Sequence, residues 1–177
     1  MTKVLRNLVA LAAVTFAFAA HTARAAGAPI NGAFNVTFSV AAGQAVCPGI
    51  LAVEAHGLGQ TAQGPMFFTI KKCFDANAGT FAGTFALCTS NAACTADSSD
   101  AVSGTYAGKD DGNVAGFTGV IFGPFHGTLT INRDNRNYGV ARGAINFTAI
   151  TGWLAPTSFP VTGSAYYVLR ETGRDHD

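Results

Sequence analysis

Charged residues are scarce in this chain. Asp, Glu, Lys and Arg make up 12% of its 177 residues, whereas ~25% is usual in a globular domain. The 11 basic and 10 acidic residues nearly cancel, and no run of basic residues concentrates positive charge. The composition therefore argues against nucleic acid or an anionic membrane surface as a partner.

The motifs of common enzyme classes are also missing. The sequence contains no G-x-S-x-G nucleophile elbow, no H-E-x-x-H pair and no glycine-rich phosphate loop. It has no C-x-x-C pair and no His beside a Cys. The acidic residues of its turns do not follow the spacing of a calcium-binding loop. We therefore predict no metal and no cofactor, and we assign no catalytic set.

No apolar run is long enough to cross a bilayer. The apolar run near the start, residues 8–20, falls short of the ~20 residues that a spanning helix needs. A basic segment precedes it, and small residues follow at Ala23 and Ala25. This layout is typical of a secretory signal peptide. We predict that residues 1–25 are removed by cleavage after Ala25 (with Ala26 as the alternative site) and that the protein reaches the periplasm or the extracellular space. A buried N-terminal helix is the competing interpretation.

After residue 25, apolar and polar side chains alternate in short runs, and no stretch has the period and caps of a helix. Turn residues separate the runs, most clearly in segments 75–79, 109–113 and 132–137. Such short connections imply antiparallel neighbours. The runs cover residues 34–38, 50–56, 66–74, 80–88, 101–108, 115–122, 125–131, 138–149 and 161–169.

About eight consecutive strands predict an all-β fold, a small antiparallel up-and-down β-barrel, because closure removes the exposed edges of a meander. Glycines inside the runs, such as Gly83 and Gly127, favour the bends and close approaches of a small barrel. A two-sheet β-sandwich is the alternative. We expect the barrel domain to span residues 26–170 and the charged residues 171–177 to form a flexible tail.

All four cysteines lie in the predicted mature part. Export and an even count favour disulfides over a zinc site. If the second and third strands form a hairpin, Cys47 and Cys73 meet at one barrel end and Cys88 and Cys94 at the other. A Cys73–Cys88 bridge would instead span a whole strand, roughly 20–30 Å, against the ~6 Å that a disulfide permits. We therefore predict the pairs Cys47–Cys73 and Cys88–Cys94.

Polar residues inside the predicted strands are the candidates for ligand binding: Glu54, His56, Tyr106, His126 and Arg142. Glu54 and His56 share a face, so an inward orientation would place a carboxylate and an imidazole in an apolar chamber. The opposite face of that strand is uniformly apolar, which favours an outward orientation for both. A polar outer face likewise accounts for His126.

Tyr106 and Arg142 lie in mid-strand among small residues, where they would act as polar anchors of a pocket. A buried arginine needs a carboxylate, and Glu54 is the one acid that the strand runs offer it. An Arg142–Glu54 pair inside the barrel is therefore the most specific structural hypothesis for the site.

Glycine and aromatic spacing adds a family resemblance. The segments S-G-T-Y-A-G at 103–108, F-H-G-T-L at 125–129 and Y-G-V-A-R-G at 138–143 resemble secreted bacterial proteins of the allene oxide cyclase barrel-like group. The resemblance covers roughly residues 54–149 and implies a β-barrel, with cyclase chemistry or an apolar ligand. The chain departs from the group at Arg133-Asp134-Asn135, where Gly-Thr-Gly is expected, and none of the enzyme's catalytic positions maps onto it.

Three functions fit these features. The first is binding of a small apolar ligand in the barrel interior, which an eight-stranded barrel can hold. The second is a cyclase- or isomerase-type enzyme, and the third is a secreted inhibitor or envelope protein that contacts a protein partner through its loops, above all residues 89–100. An apolar cavity above ~300 Å³ would favour the first two functions, and a filled barrel the third. A membrane-embedded barrel is disfavoured by the short strands and the charged C-terminal residues.

Overall fold

The computed structural model describes residues 29–41, 47, 51–75, 77–90, 93–112, 114–115, 120–137, 141–154 and 161–176. These residues form β-strands, short turns and one 3-10 turn at Asn135–Asn137. The strands are β1 (Gly32–Ala41), β2 (Leu51–Thr61), β3 (Gly64–Asp75), β4 (Thr80–Cys88), β5 (Val102–Asp110), β6 (Val114–Ala115), β7 (Val120–Asp134), β8 (Ala141–Leu154) and β9 (Val161–His176). The predicted signal peptide lies outside the described residues. No helix in the described ranges is long and apolar enough to cross a membrane.

The strands close into a barrel. Each long strand pairs antiparallel with the next long strand along the chain, including β5 with β7 across the short β6, and one further antiparallel pairing joins β9 to β1. Eight strands therefore form a continuous ring, while the two-residue β6 pairs only with the beginning of β7. The predicted all-β barrel is confirmed, and the sandwich alternative is wrong because the sheet has no second layer.

Several strands are longer than the sequence pattern predicts. The run at residues 50–56 was expected to end at Gly57, but β2 continues to Thr61. The glycines of this segment face the interior, where a Cβ at Gly59 would overlap the ring of Phe34. Glycine therefore makes room for a core aromatic side chain instead of ending the strand.

A second extension runs through a proline. The runs at 115–122 and 125–131 were expected to be separate, but β7 is continuous through Pro124. The Pro124 carbonyl accepts a hydrogen bond from the Asp111 N–H. The nitrogen and the carbonyl of one strand residue point to the same side, so the Pro124 nitrogen also points towards the chain that follows β5. The pairing of β7 with β5 has already ended at Phe125. The strand needs no N–H at this position, which is where a sheet tolerates proline.

The last strand also runs further than the sequence pattern predicts, into the charged residues that were expected to form a flexible tail. β9 continues to His176, and residues 174–176 pair with the first residues of β8. The Thr172 hydroxyl donates to the Ala144 carbonyl, and the Glu171 N–H donates to the Asn31 side chain. Charge at the end of a chain is thus compatible with a paired strand, because alternate side chains of a barrel strand face water.

Alternation along each strand produces the core. In β1, Phe34, Val36 and Phe38 are buried, whereas the residues between them are exposed. Tyr167 lies at the centre of the aromatic cluster, with its ring centroid 5.3 Å from those of Phe68 and Phe125. The interior is thus mostly filled by side chains.

Both predicted disulfides are confirmed. Cys47–Cys73 has a Cα–Cα distance of 5.7 Å and Cys88–Cys94 one of 5.6 Å. Cys73 lies at the barrel end where β1 and β8 finish, which we call the upper end. Cys88 lies at the opposite, lower end.

A buried ion pair lies at the lower end. Asp134 is fully buried, and the Arg136 guanidinium donates to both of its carboxylate oxygens, at 2.9 Å from Nε and 2.8 Å from Nη2. The same guanidinium also donates to the Gln63 side chain in the β2–β3 turn. This bidentate contact ties the end of β7 to a hairpin on the other side of the barrel.

We expect Arg136→Met to lower the free energy of unfolding by about 3–5 kcal/mol, because it leaves the Asp134 charge buried without its guanidinium. Urea unfolding measures the change. The matched control is Arg133→Met, since the Arg133–Asp97 pair is exposed at the same end, and its loss should cost less than about 1 kcal/mol. Equal losses in the two variants would contradict the structural role of the buried pair.

Candidate functional site

The most unusual residue of the interior is a lysine. In β3, alternate side chains face the core at Phe68, Ile70 and Lys72, and Lys72 is only 7% exposed. Its neighbour Lys71 faces outward with 65% of its side chain exposed, 3.3 Å from the Glu54 carboxylate. The period of two thus places one of two consecutive lysines inside the barrel.

Aromatic side chains surround the Lys72 amine. Its Nζ lies 3.8 Å from the ring centroid of Phe81 and 4.7 Å from those of Tyr106 and Phe125. It also donates a hydrogen bond to the Tyr106 hydroxyl at 3.1 Å, and that hydroxyl lies 3.5 Å from the hydroxyl of Tyr167. Ring faces and phenol oxygens therefore provide the contacts that water makes with an exposed lysine.

Burial changes the acidity of this amine. Desolvation lowers the pKa of Lys72 from 10.5 to about 7, and the negative charge of Asp110 opposes part of this shift. None of the ion pairs between described residues includes Lys72. Asp110 is half-buried at the upper end, so it acts on the amine as a nearby charge and not as a contacting partner.

The two tyrosines are shifted the other way. Burial raises the pKa of Tyr106 well above its ordinary value, and the neighbouring Tyr167 raises it further. Burial also raises the pKa of Tyr167, although its hydrogen bond with Tyr106 opposes the shift. Both phenols therefore keep their protons at neutral pH and can donate hydrogen bonds within the site.

The amine borders a small chamber in the upper half of the barrel. Its volume is about 40 Å³, and its walls are mainly apolar side chains of β1, β2, β3, β4 and β7, with Lys72, Asp110, Thr151 and Tyr167 as the polar exceptions. One buried water needs roughly 10–15 Å³ of cavity volume, so the chamber has room for about three waters. It is far below the ~300 Å³ of a typical ligand pocket, so by cavity size alone the barrel counts as filled, which favours the loop-mediated function. Only a slender group fits in the chamber, and the case for a ligand depends on the Lys72 amine.

The structure separates the five predicted site residues. Tyr106 is inside the barrel and contacts Lys72. Glu54 and His56 lie on the outer surface, Glu54 beside Lys71 and His56 with its Nδ1 3.4 Å from the Thr69 hydroxyl. The favoured outward orientation of this pair is confirmed.

His126 also lies outside, where its Nδ1 is 2.8 Å from the Asp111 carboxylate in a surface pair. Arg142 belongs to β8 and pairs in register with Asp175, and its side chain lies outside the described part of the structure. The interior Arg142–Glu54 pair is wrong, because the Glu54 carboxylate is on the opposite face of the sheet from the core.

Lys72 is the residue that sequence reasoning missed. In the run M-F-F-T-I-K-K-C-F, it shares its face with Phe68, Ile70 and Phe74, and this spacing was sufficient to place it inside. Two consecutive lysines are more often read as a solvated strand end, since lysine is almost never buried.

Comparisons with protein-family models, with curated proteins and with solved structures give no match to this chain. Within the described residues, no group of three or more His, Cys, Asp or Glu side chains could hold a metal ion. The case for function therefore depends on the chamber and its lysine.

The Lys72 amine predicts a pH-dependent free energy of unfolding. Between pH 7 and its ordinary pKa of 10.5, Lys72 is protonated in the unfolded chain but largely neutral in the folded one. Unfolding takes up a proton in this range, so the stability rises with pH by at most about 1.4 kcal/mol per unit. Below pH 7 both states hold the proton and the contribution is flat.

Urea unfolding from pH 6 to about pH 9.5, below the range in which the unfolded tyrosines ionise, measures this slope. The stability of the wild-type protein should rise relative to Lys72→Met as the pH increases. Lys71→Met is the matched control, because it removes an exposed lysine and should follow the wild-type curve. Parallel curves for wild type and Lys72→Met would show that the Lys72 pKa is not lowered.

Proposed function

We propose that this protein is an exported binding protein that holds one small, mostly apolar molecule in the chamber beside Lys72. The observation that carries this proposal is the Lys72 amine itself, which is buried and borders the chamber. Burying an amine without a contacting carboxylate is costly. Such a group in a cavity, with a perturbed pKa, is characteristic of functional sites.

The chemistry of the walls indicates the kind of ligand. Lys72 and Tyr167 line the chamber, and an amine and a phenol can both donate hydrogen bonds, so they suit an oxygen acceptor such as a carbonyl or a carboxylate. The rings around them suit an apolar body. Because the chamber has a volume of about 40 Å³, the polar end and a few carbons fit inside, and a longer body would have to extend towards the upper end.

The other features of the chain agree with export. Two disulfides are compatible with an oxidising, exported location, and the N-terminal segment has the layout of a signal peptide. A cyclase of the allene oxide cyclase barrel-like kind has less support. It would need room to fold a larger substrate, and Glu54, one of the groups expected to steer it, lies outside the barrel.

Native mass spectrometry tests the proposal. The mature protein, purified from its host with disulfides intact, should carry an extra mass that is lost on denaturation. Lys72→Met should lose this mass because the polar anchor is gone, whereas Lys71→Met should retain it. A bare protein, or equal retention in both variants, would count against a ligand held at Lys72.

The small chamber also gives weight to a second candidate, a protein that binds a partner through its lower-end loop. In this loop, one Asp100 oxygen accepts hydrogen bonds from the backbone N–H and the hydroxyl of both Thr89 and Ser90, at 2.8–2.9 Å. These bonds lower the pKa of Asp100 although its burial opposes the shift. The Cys88–Cys94 disulfide closes the same loop. The described residues of the loop thus present polar groups that hydrogen bonds hold in place.

Asp100→Ala separates the two candidates, because it removes four hydrogen bonds of the loop and leaves the chamber intact. We expect the captured mass to be unchanged in this variant if the protein is a small-molecule binder. Loss of an associated protein, with no small-molecule mass in any variant, would favour the loop instead.

A further inference from the structure

We propose that Lys72 is a site of reversible covalent capture, at which its amine condenses with the carbonyl carbon of a small aliphatic aldehyde to form an imine. The inference rests on the proposed binding function and specifies the chemistry of the same chamber. It depends on three features of the site: an amine in an apolar cavity, proton donors beside it, and a cavity that admits only a slender carbonyl compound.

The first feature is a nucleophilic amine. Only the neutral form of lysine attacks a carbonyl carbon, and desolvation in an apolar pocket is the standard way in which proteins populate that form. The Lys72 Nζ lies among the rings of Phe81, Phe125 and Tyr106. With its pKa at about 7, roughly half of the folded molecules hold a neutral amine at neutral pH. At the same pH, the neutral fraction of an ordinary exposed lysine is about a thousandfold smaller.

The second feature is the pair of phenols. Attack on the carbonyl carbon places negative charge on its oxygen, and loss of water from the resulting carbinolamine needs a proton at that oxygen. The Tyr106 hydroxyl lies 3.1 Å from Nζ and 3.5 Å from the Tyr167 hydroxyl. Because burial keeps both phenols protonated, they are donors at the pH at which the amine is neutral.

The reaction balances without another reactant. The amine adds to the aldehyde and forms a C–N bond, and a proton passes from nitrogen to the former carbonyl oxygen, with Tyr106 as the intermediate carrier. The carbinolamine then loses its hydroxyl group and the remaining N–H proton as water. The product is the imine of Lys72 and one water molecule, and addition of water reverses the sequence.

The third feature is size. A chamber of about 40 Å³ accommodates the reacting carbon and the first atoms of an unbranched chain, but no ring. Butanal therefore suits the chamber. The exposed Lys71 provides an internal competitor, because it is the adjacent residue of the same strand and differs from Lys72 in burial.

The experiment treats the disulfide-intact protein with butanal and sodium cyanoborohydride at pH 7. The reagent reduces an imine to a stable butylamine without reducing disulfides. Peptide mass spectrometry then locates the butyl group. We expect Lys72 to be labelled about tenfold or more faster than Lys71 and Lys109, and this preference should disappear in urea and shrink as the pH rises towards 10. Lys72→Met should lose the fast label while Lys71→Met keeps it.

Tyr106→Phe keeps the ring and removes the proton donor, so labelling of Lys72 should slow severalfold while Lys71 is unaffected. Labelling of Lys72 at or below the rate of Lys71 in the folded protein would overturn the inference. The two proposals can fail independently. If a non-covalent mass depends on Lys72 but Lys72 is not labelled faster than Lys71, the binding proposal stands and covalent capture is rejected. Fast labelling without any captured mass supports the amine chemistry and counts against a tightly held ligand.

Discussion

The pairing of β1 with β9 is the constraint on which the rest of the structure depends. It joins the first and last strands of an eight-stranded meander, and a closed sheet has an inside and an outside. Before closure, the alternation of each strand only defines two faces. After closure, one face of every strand points to a single axis, so a side chain such as Tyr167 meets residues from distant strands at 5–6 Å.

The interior is divided into a filled part and a small polar part. Aromatic and aliphatic side chains fill most of the interior, and glycines make room for the rings: a Cβ at Gly163 would overlap the ring of Phe38. Near the upper end the packing leaves the chamber beside Lys72. A lysine at this place does not serve the packing, because an apolar side chain of similar length would fill the same space without the desolvation cost. This mismatch between packing and chemistry is the main reason to assign function to the chamber.

The fold could be predicted from the sequence because the features that determine it, alternation and turn residues, are local. Alternation and turn residues identified β4 at its observed bounds, and the strand order followed from short connections. Both disulfides also followed, since a meander places Cys47 with Cys73 and Cys88 with Cys94. Strand ends were less accessible. Glycine and proline usually end strands, but in β2 and β7 the neighbouring strands decided whether these residues could continue the ladder.

The site was accessible only in part. Tyr106 could be chosen as a polar residue in an apolar strand, whereas the Arg142–Glu54 hypothesis failed because it paired side chains without knowing which face was inside. The sequence by itself determined the number of strands, their order and the two disulfides, through patterns that span a few residues. Only the tertiary structure decided that rings from β4, β5 and β7 enclose the Lys72 amine. Burial and pKa depend on neighbours that closure brings together from the whole chain, and no local pattern contains them.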